Sequence, residues 1–477
     1  MASIKKNLGL QTAYQILETC LPLITSPYLS RVLGASQLGI FSYTQSIANY
    51  FTMFAMLGFN NYGTRLIASV SENVKERSKT FWSIYSLQFA ASLIAIIGYS
   101  GYLICVCKEN LIIGIIQTLS IAACFLNINW LFFGLEKFAI TVTHNMIIRV
   151  ITVILILSLV KGPEDLWIYT LLMVSDTFFR QAVLWRYVPK VIQKARFTHS
   201  DIAGHVRPAI NLFIPVLAMS VYHVMDKTML GVLSNYEQSG FYYNADKVIN
   251  IPLGIINGIG TVMLPRISAL IAKKEVEKAD SLFIQSMEGT ILAACALAFG
   301  IAAIVREFVP LFFGTDYMPC VNLIVVLAPV LIIKGCTFSV RSQYLIPHNM
   351  DRVYIISAFV GAAVNLVINF VTIPILGAMG AVTGTLAAEL TACFFQLWFI
   401  RKRIDCSKML THTLLFLVFG VVMFIMVRFV GNGLGRGWGV LILEIAAGVI
   451  VYSALAIIYL GISGKKAVMR DLLLRKK

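Results

Sequence analysis

The sequence predicts an all-α polytopic membrane protein with about 14 transmembrane helices, and three observations carry that expectation. Of its 477 residues, 58% are hydrophobic and 13% charged, with a mean hydropathy of +0.81; a soluble domain carries about a quarter of its residues as charges. Apolar runs close to the ~20 residues that a spanning helix needs recur from end to end. These runs are long and continuous, unlike the ~10-residue alternating segments of a transmembrane barrel.

Taken in order, the spans fall at roughly 8–30, 38–62, 81–107, 111–133, 138–160, 165–187 and 208–233, then 240–265, 283–306, 320–345, 353–374, 379–400, 409–430 and 438–461. Gln, Ser, Thr and Pro interrupt the first two, which are the weakest. The opening MASIKKNLGLQTAYQ is basic but lacks a short apolar core ending in a small-residue cleavage site, so it reads as a cytoplasmic lead into the first span. Two connections, YVPKVIQKARFTHSDIAGHVRP and PRISALIAKKEVEKADSLF, and the tail GKKAVMRDLLLRKK look like basic amphipathic helices lying along the inner membrane surface. The nine cysteines are scattered, with no CxxC pair, and read as small hydrophobes.

Lys and Arg number 39 against 23 Asp and Glu, a formal net charge of +16. With an N-in start, most of the basic residues fall in inside segments, among them Lys75, Arg77 and Lys79, and later Arg401, Lys402 and Arg403. The outside segments hold few, such as Arg31, Lys108, Lys161 and Arg428. This asymmetry follows the positive-inside rule for fourteen spans with both termini cytoplasmic. The basic excess is topology, so no nucleic-acid partner is expected.

Offset by about 200 residues, the sequence aligns with itself. RVLGASQLGIFSYTQSI (31–47) lies on GVLSNYEQSGFYYNADKVI (231–249), matching Val32 and Leu33 with Val232 and Leu233, and Gly39 with Gly240. Arg65 meets Arg266 in the same register. Six spans separate the copies, which keeps them in one orientation, as in transporters built from parallel repeats. The expected organisation is an N-terminal six-helix lobe (1–200), a C-terminal six-helix lobe (201–403), and two additional helices with a basic cytoplasmic tail (404–477).

Ionisable residues within spans are costly and mark function by default. The basic ones are Arg149, Arg180, Lys227, Lys247, Lys334 and Arg341; the acidic ones are Glu18, Asp176, Asp226, Asp246, Glu288, Glu389 and Glu444. Glu288 and Glu444 lie near span ends, where they would reach water. Helical spacing puts Gln11, Gln15 and Glu18 on one face, Thr141, Asn145, Arg149 and Thr152 on another, and Lys334 with Arg341 on a third. Asp176 and Arg180, at i and i+4, read as an intrahelical pair. Asp226 and Lys227 are neighbours pointing about 100° apart, so each needs a partner elsewhere. No Walker loop, HExxH motif or large external loop with catalytic residues is present. The chain therefore reads as a transporter and not an enzyme, with no cofactor expected.

From Asn211 and Pro215 through Tyr222, Asp226-Lys227, Leu230-Gly231, Gly240-Phe241-Tyr242, Ala245 and Lys247 to Leu264-Pro265-Arg266, the chain resembles bacterial polysaccharide flippases of the Wzx type. That family lies within the multidrug/oligosaccharidyl-lipid/polysaccharide exporter superfamily. SPYLSRVLGASQLGIFSYTQSIANYF near the N-terminus resembles it equally. The resemblance implies two six-helix lobes around a cavity of alternating access in the plasma (inner) membrane. It also implies an undecaprenyl-diphosphate-linked oligosaccharide as cargo, coupling to a cation gradient, and service to O-antigen, capsule or exopolysaccharide assembly beside polymerase and chain-length proteins. A diphosphate crossing hydrocarbon needs cationic contacts, which makes Arg149, Lys227, Lys247, Lys334 and Arg341 the expected substrate-binding residues. Glu18, Asp226 and Glu389 are the expected ion-coupling residues. A drug/cation antiporter or a peptidoglycan-precursor flippase would share the fold, and a membrane-embedded glycan ligase or polymerase is the alternative from another class.

Overall fold

In hydrocarbon a backbone must satisfy its own polar groups, and helices do so within one element. The computed structural model describes residues 2–404, 406–435 and 437–462, and every regular element among them is helical. The first eight helices are α1 (Ala2–Met56), α2 (Phe59–Ser69), α3 (Val74–Cys105), α4 (Leu111–Leu126), α5 (Asn129–Gly134), α6 (Phe138–Leu159), α7 (Leu166–Ala182) and α8 (His199–Leu233). The rest are α9 (Tyr236–Ala272), α10 (Val276–Phe312), α11 (Pro319–Leu327), α12 (Pro329–Ser339), α13 (Asp351–Leu376), α14 (Ala378–Ile400), α15 (Cys406–Leu434) and α16 (Trp438–Ile462).

Among the described residues, 10 helical stretches are long and apolar enough to cross a membrane. Both parts of α1, together with α7 and α8, account for the other expected spans, so each expected span falls on one or more helical segments. The chain is a multi-pass membrane protein whose large apolar side chains face outward: Ile104 is 83% exposed and Phe429 77%. A water-soluble protein does not present such a surface over its whole length.

Local sequence decides where the helices break. Gly34 adopts φ 76°, ψ 173° inside α1, so the first two spans form one run divided at a residue that tolerates that backbone. Asn73 caps α3 by accepting from the Lys75 and Glu76 amides at 3.1 and 3.2 Å. The tenth span is segmented into α11, α12 and a π-helical turn at Val340–Leu345, with Pro329 opening α12.

The expected surface helices are not separate elements. Residues 191–198 are non-helical after the 3-10 turn Val183–Lys190, and α8 begins directly at His199 with Thr198 and Asp201 closing its first turn. In the second connection α9 runs to Ala272, Lys274 takes a left-handed φ of 63°, and α10 starts at Val276. A short polar turn between two long helices leaves no length for a third. The tail expected to be amphipathic lies outside the described residues.

Compactness divides the chain into two units, Met1–Tyr243 with Asn369–Ala378, and Asn244–Ile368 with Met379–Lys477. In the first, Phe59, Phe81, Trp130, Phe132 and Leu184 are fully buried in one cluster. Gln88, also buried, accepts from Trp130 Nε1 at 3.0 Å and donates to the carbonyls of Cys124 and Asn127 at 2.7 and 2.8 Å. It thereby satisfies carbonyls that the end of α4 leaves open. The same unit contains a reciprocal close approach. A Cβ on Gly39 would overlap the Tyr236 carbonyl, and a Cβ on Gly240 would overlap the Ala35 carbonyl. In the second unit, Phe283, Met287, Cys295, Tyr344 and Phe416 form the core, and Gly420 lies against the Phe299 ring.

Candidate functional site

In the first unit, helical spacing on α6 puts Arg149 and Thr152 on the face turned toward α7. Arg149 Nη1 lies 3.0 Å from Asp176 Oδ2, Arg180 Nη2 reaches the same oxygen at 2.8 Å, and Thr152 Oγ1 donates to Oδ1 at 3.3 Å. The Asp176 side chain is 0% exposed. Glu18 of α1 stands farther off, 3.5 Å from Arg180 and 3.9 Å from Arg149, and is 30% exposed. Arg180 also donates to the Tyr14 hydroxyl at 3.3 Å. The Nε atoms of both arginines are buried and have no hydrogen-bond partner.

A buried carboxylate held by three donors is a fixed part, since removing it would strand two guanidinium charges. Glu18 is the loose member. Two arginines presented by one immobile carboxylate can take a second anion in its place, with the unmet Nε donors available to that anion. The structure thus joins Arg149 and Glu18, which the sequence put on separate stripes. Asp176 and Arg180 form the intrahelical i,i+4 pair that their spacing implied, and Arg149 joins it across helices, a contact that leaves no sequence signal.

Asp226 is 1% exposed on α8. It accepts from the Tyr242 hydroxyl and from Asn369 Nδ2, each at 2.6 Å. Lys227 turns aside, with Nζ 5.6 Å from the centre of the Tyr243 ring. The adjacent charges therefore serve different neighbours, as their angular separation requires.

In the second unit, Lys334 of α12 lies 3.3 Å from Glu389 of α14, and the Glu389 side chain is 4% exposed. Arg341 sits within the π-helical turn and stacks 4.3 Å from the Tyr354 ring centre. On α9, Asn250 donates to Asp246 at 2.8 Å, and Lys247 is half-buried beside them.

Two expectations about span ends are corrected. Glu444 is fully buried, 3.9 Å from Arg428, which itself pairs with Glu307 at 2.8 Å. The turn of α16 carries this carboxylate against Gly431, where the missing side chain leaves room. Glu288 is mostly buried and lies 3.2 Å from His412 Nε2, whose Nδ1 meets the Tyr459 hydroxyl at 2.9 Å.

Residues 4–271 match the family described as "Polysaccharide biosynthesis protein". The chain is 23% identical over 406 residues to a protein of Escherichia coli (strain K12) named "Putative O-antigen transporter", covering 84% of this chain and 97% of that one. It is 21% identical to the lipid II flippase MurJ of Bacillus subtilis (strain 168) over 47% of its own length and 41% of the relative. Among solved structures, a lipid II flippase MurJ in an inward closed conformation superposes with a TM-score of 0.78 at 13% identity, over 94% of this chain and 98% of that one. An inward-facing multidrug transporter of the MATE family superposes at 0.59 and 12% identity, covering 82% and 99%.

Proposed function

The chain belongs to the polysaccharide biosynthesis protein family, and from that premise we propose that it flips undecaprenyl-diphosphate-linked oligosaccharides from the cytoplasmic to the outer face of a bacterial plasma (inner) membrane. Access alternates, a cation gradient drives the cycle, and no covalent chemistry is performed. The observation that carries this reading is the arginine pair on Asp176. The lipid tail can stay in the bilayer, but the diphosphate must cross it, and a partly buried pair of guanidiniums lowers that barrier. The diphosphate displaces Glu18 from Arg149 and Arg180, and Glu18, freed, takes up the coupling H+ or Na+.

The other expected residues belong to the same proposal. Lys227, Lys247, Lys334 and Arg341 follow the diphosphate along its path, and Asp226 and Glu389 carry coupling cations. Protonation of Glu389 would release Lys334 for an anion. The lobe boundaries near residues 200 and 403, both cytoplasmic termini, and service to polymerase and chain-length proteins complete it. The transporter and flippase names of the relatives support a carrier over an enzyme.

Cells lacking the gene test the reading. Complete lipid-linked oligosaccharide should accumulate on the cytoplasmic face, relieved by the native chain and at least about tenfold less by Arg180→Ala, as expected for losing one buried ionic contact. Oligosaccharide that reaches the outer face normally but stays unpolymerised would refute the flippase and point to a downstream enzyme.

A further inference from the structure

The first unit holds a cavity of about 530 Å³, within the range of about 300–1,000 Å³ usual for small-ligand sites. Its wall carries the side-chain amides of Gln45, Asn49, Asn60, Asn61, Asn127 and Gln181, and among the described residues no lining residue is charged. Asn129 Nδ2 donates to Gln181 Oε1 at 2.9 Å and to Asn127 Oδ1 at 3.2 Å, which leaves the NH₂ groups of both amides to the cavity. Among the described residues, none bonds to the side-chain amides of Gln45, Asn49, Asn60 or Asn61. Phe213 and Met53 supply flat and adaptable apolar surface to the same wall.

This lining selects a ligand class. Each amide offers two donors and a two-lone-pair acceptor without charge, which suits a molecule dense in hydroxyl and acetamido groups. A phosphate would be served better by the nearby arginines, a hydrocarbon chain would leave the amides unsatisfied, and a cationic drug would want a carboxylate. The apolar wall fits the C–H face of a pyranose ring. Helix α7 ties the cavity to the charged cluster: Asp176 and Arg180 lie on one face, and Thr177 and Gln181 on a face about 100° around the axis.

We propose that this cavity is a glycan subsite that binds uncharged sugar residues of the carried lipid, separate from the arginine cluster that takes its diphosphate. The assignment rests on the flippase reading. Holding sugars by neutral amides gives selectivity without the desolvation cost of buried charge.

Purified full-length protein in detergent is titrated with two probes: undecaprenyl diphosphate, and the lipid-linked oligosaccharide extracted from cells lacking the gene. The native chain should bind the glycosylated lipid about tenfold more tightly or better, as a few added hydrogen bonds allow. Asn49→Ala combined with Asn60→Ala should erase that preference and leave the Kd for undecaprenyl diphosphate unchanged. Both side chains are exposed and, among the described residues, bond to nothing else, so the melting temperature should hold. Arg180→Ala should weaken both probes. A double variant that keeps the preference, or that loses both lipids equally, overturns the subsite. A native chain that binds neither probe overturns the flippase reading itself, and the subsite with it.

Discussion

Asp176 is the residue on which the site in the first unit depends, because Arg149, Arg180 and Thr152 all converge on its carboxylate. Asp176→Ala strands two partly buried guanidiniums, 17% and 18% exposed, and should cost about 3 kcal/mol. Glu18→Gln, touching the partly exposed member, should cost far less. Thermal unfolding of the two variants in detergent separates them; equal losses would mean that Glu18 and Asp176 share the structural load. A second prediction concerns His205, which precedes the membrane part of α8. Its Nδ1 lies 2.6 Å from the Tyr62 hydroxyl and its Nε2 2.8 Å from Ser83 Oγ. Burial pushes its pKa below the ordinary 6.5, against an opposing pull from the Asp201 carboxylate, which Lys79 holds at 2.8 Å. The unfolded chain therefore binds the proton more readily, so this contribution is full above pH 6.5 and is lost as pH falls through the depressed value. The melting temperature should drop between pH 7 and about pH 5.5, and His205→Gln should flatten that drop. An unchanged pH profile in the variant would clear His205 of the effect.

At the scale of elements, α1 and α9 meet where Gly39 lies against the Tyr236 carbonyl and Gly240 against that of Ala35. These glycines are the pair that the self-alignment superposes, and Ala35 and Tyr236 stand in the same register. A motif packed against its own copy produces such reciprocity. Gly39→Ala or Gly240→Ala puts a methyl group into a backbone carbonyl that cannot rotate away, so each should destabilise by about 1–3 kcal/mol or more. Expression and thermal unfolding check this, and a tolerated alanine at both positions would show that the helices can separate freely. The same elements show what the sequence could disclose. Continuous apolar runs placed every long helix, and Thr141, Arg149 and Thr152 correctly marked an inward face of α6. What stayed hidden depends on neighbours distant in the chain: Asn369 on Asp226, Glu307 on Arg428, and Arg149 on Asp176. The π-helical turn at Arg341 was illegible for another reason, since a one-residue change of register leaves the apolar pattern almost untouched.

Across the whole molecule, topology decides whether the amide cavity can meet its cargo. Alternating spans run in opposite directions, so the second part of α1, α4 and α7 all run the same way. Near their ends Met56, Asn127 and Gln181 line the cavity. Under the proposed orientation with both termini cytoplasmic, which the concentration of Lys and Arg in alternate segments supports, that end lies at the cytoplasmic face, from which the proposed cargo is taken. Cys105, exposed at the end of α3, would then lie outside, and Cys406, in the segment after Arg401, Lys402 and Arg403, inside. Two chains retaining only one or the other cysteine should behave oppositely toward a membrane-impermeant maleimide. Cys105 should label in intact spheroplasts, and Cys406 only after lysis. The reverse result would turn the cavity toward the outer face, and outward flipping could not then begin at the amides. Such a result would leave the fold and the family untouched and remove the direction of transport, which makes orientation the property on which the functional reading stands or falls.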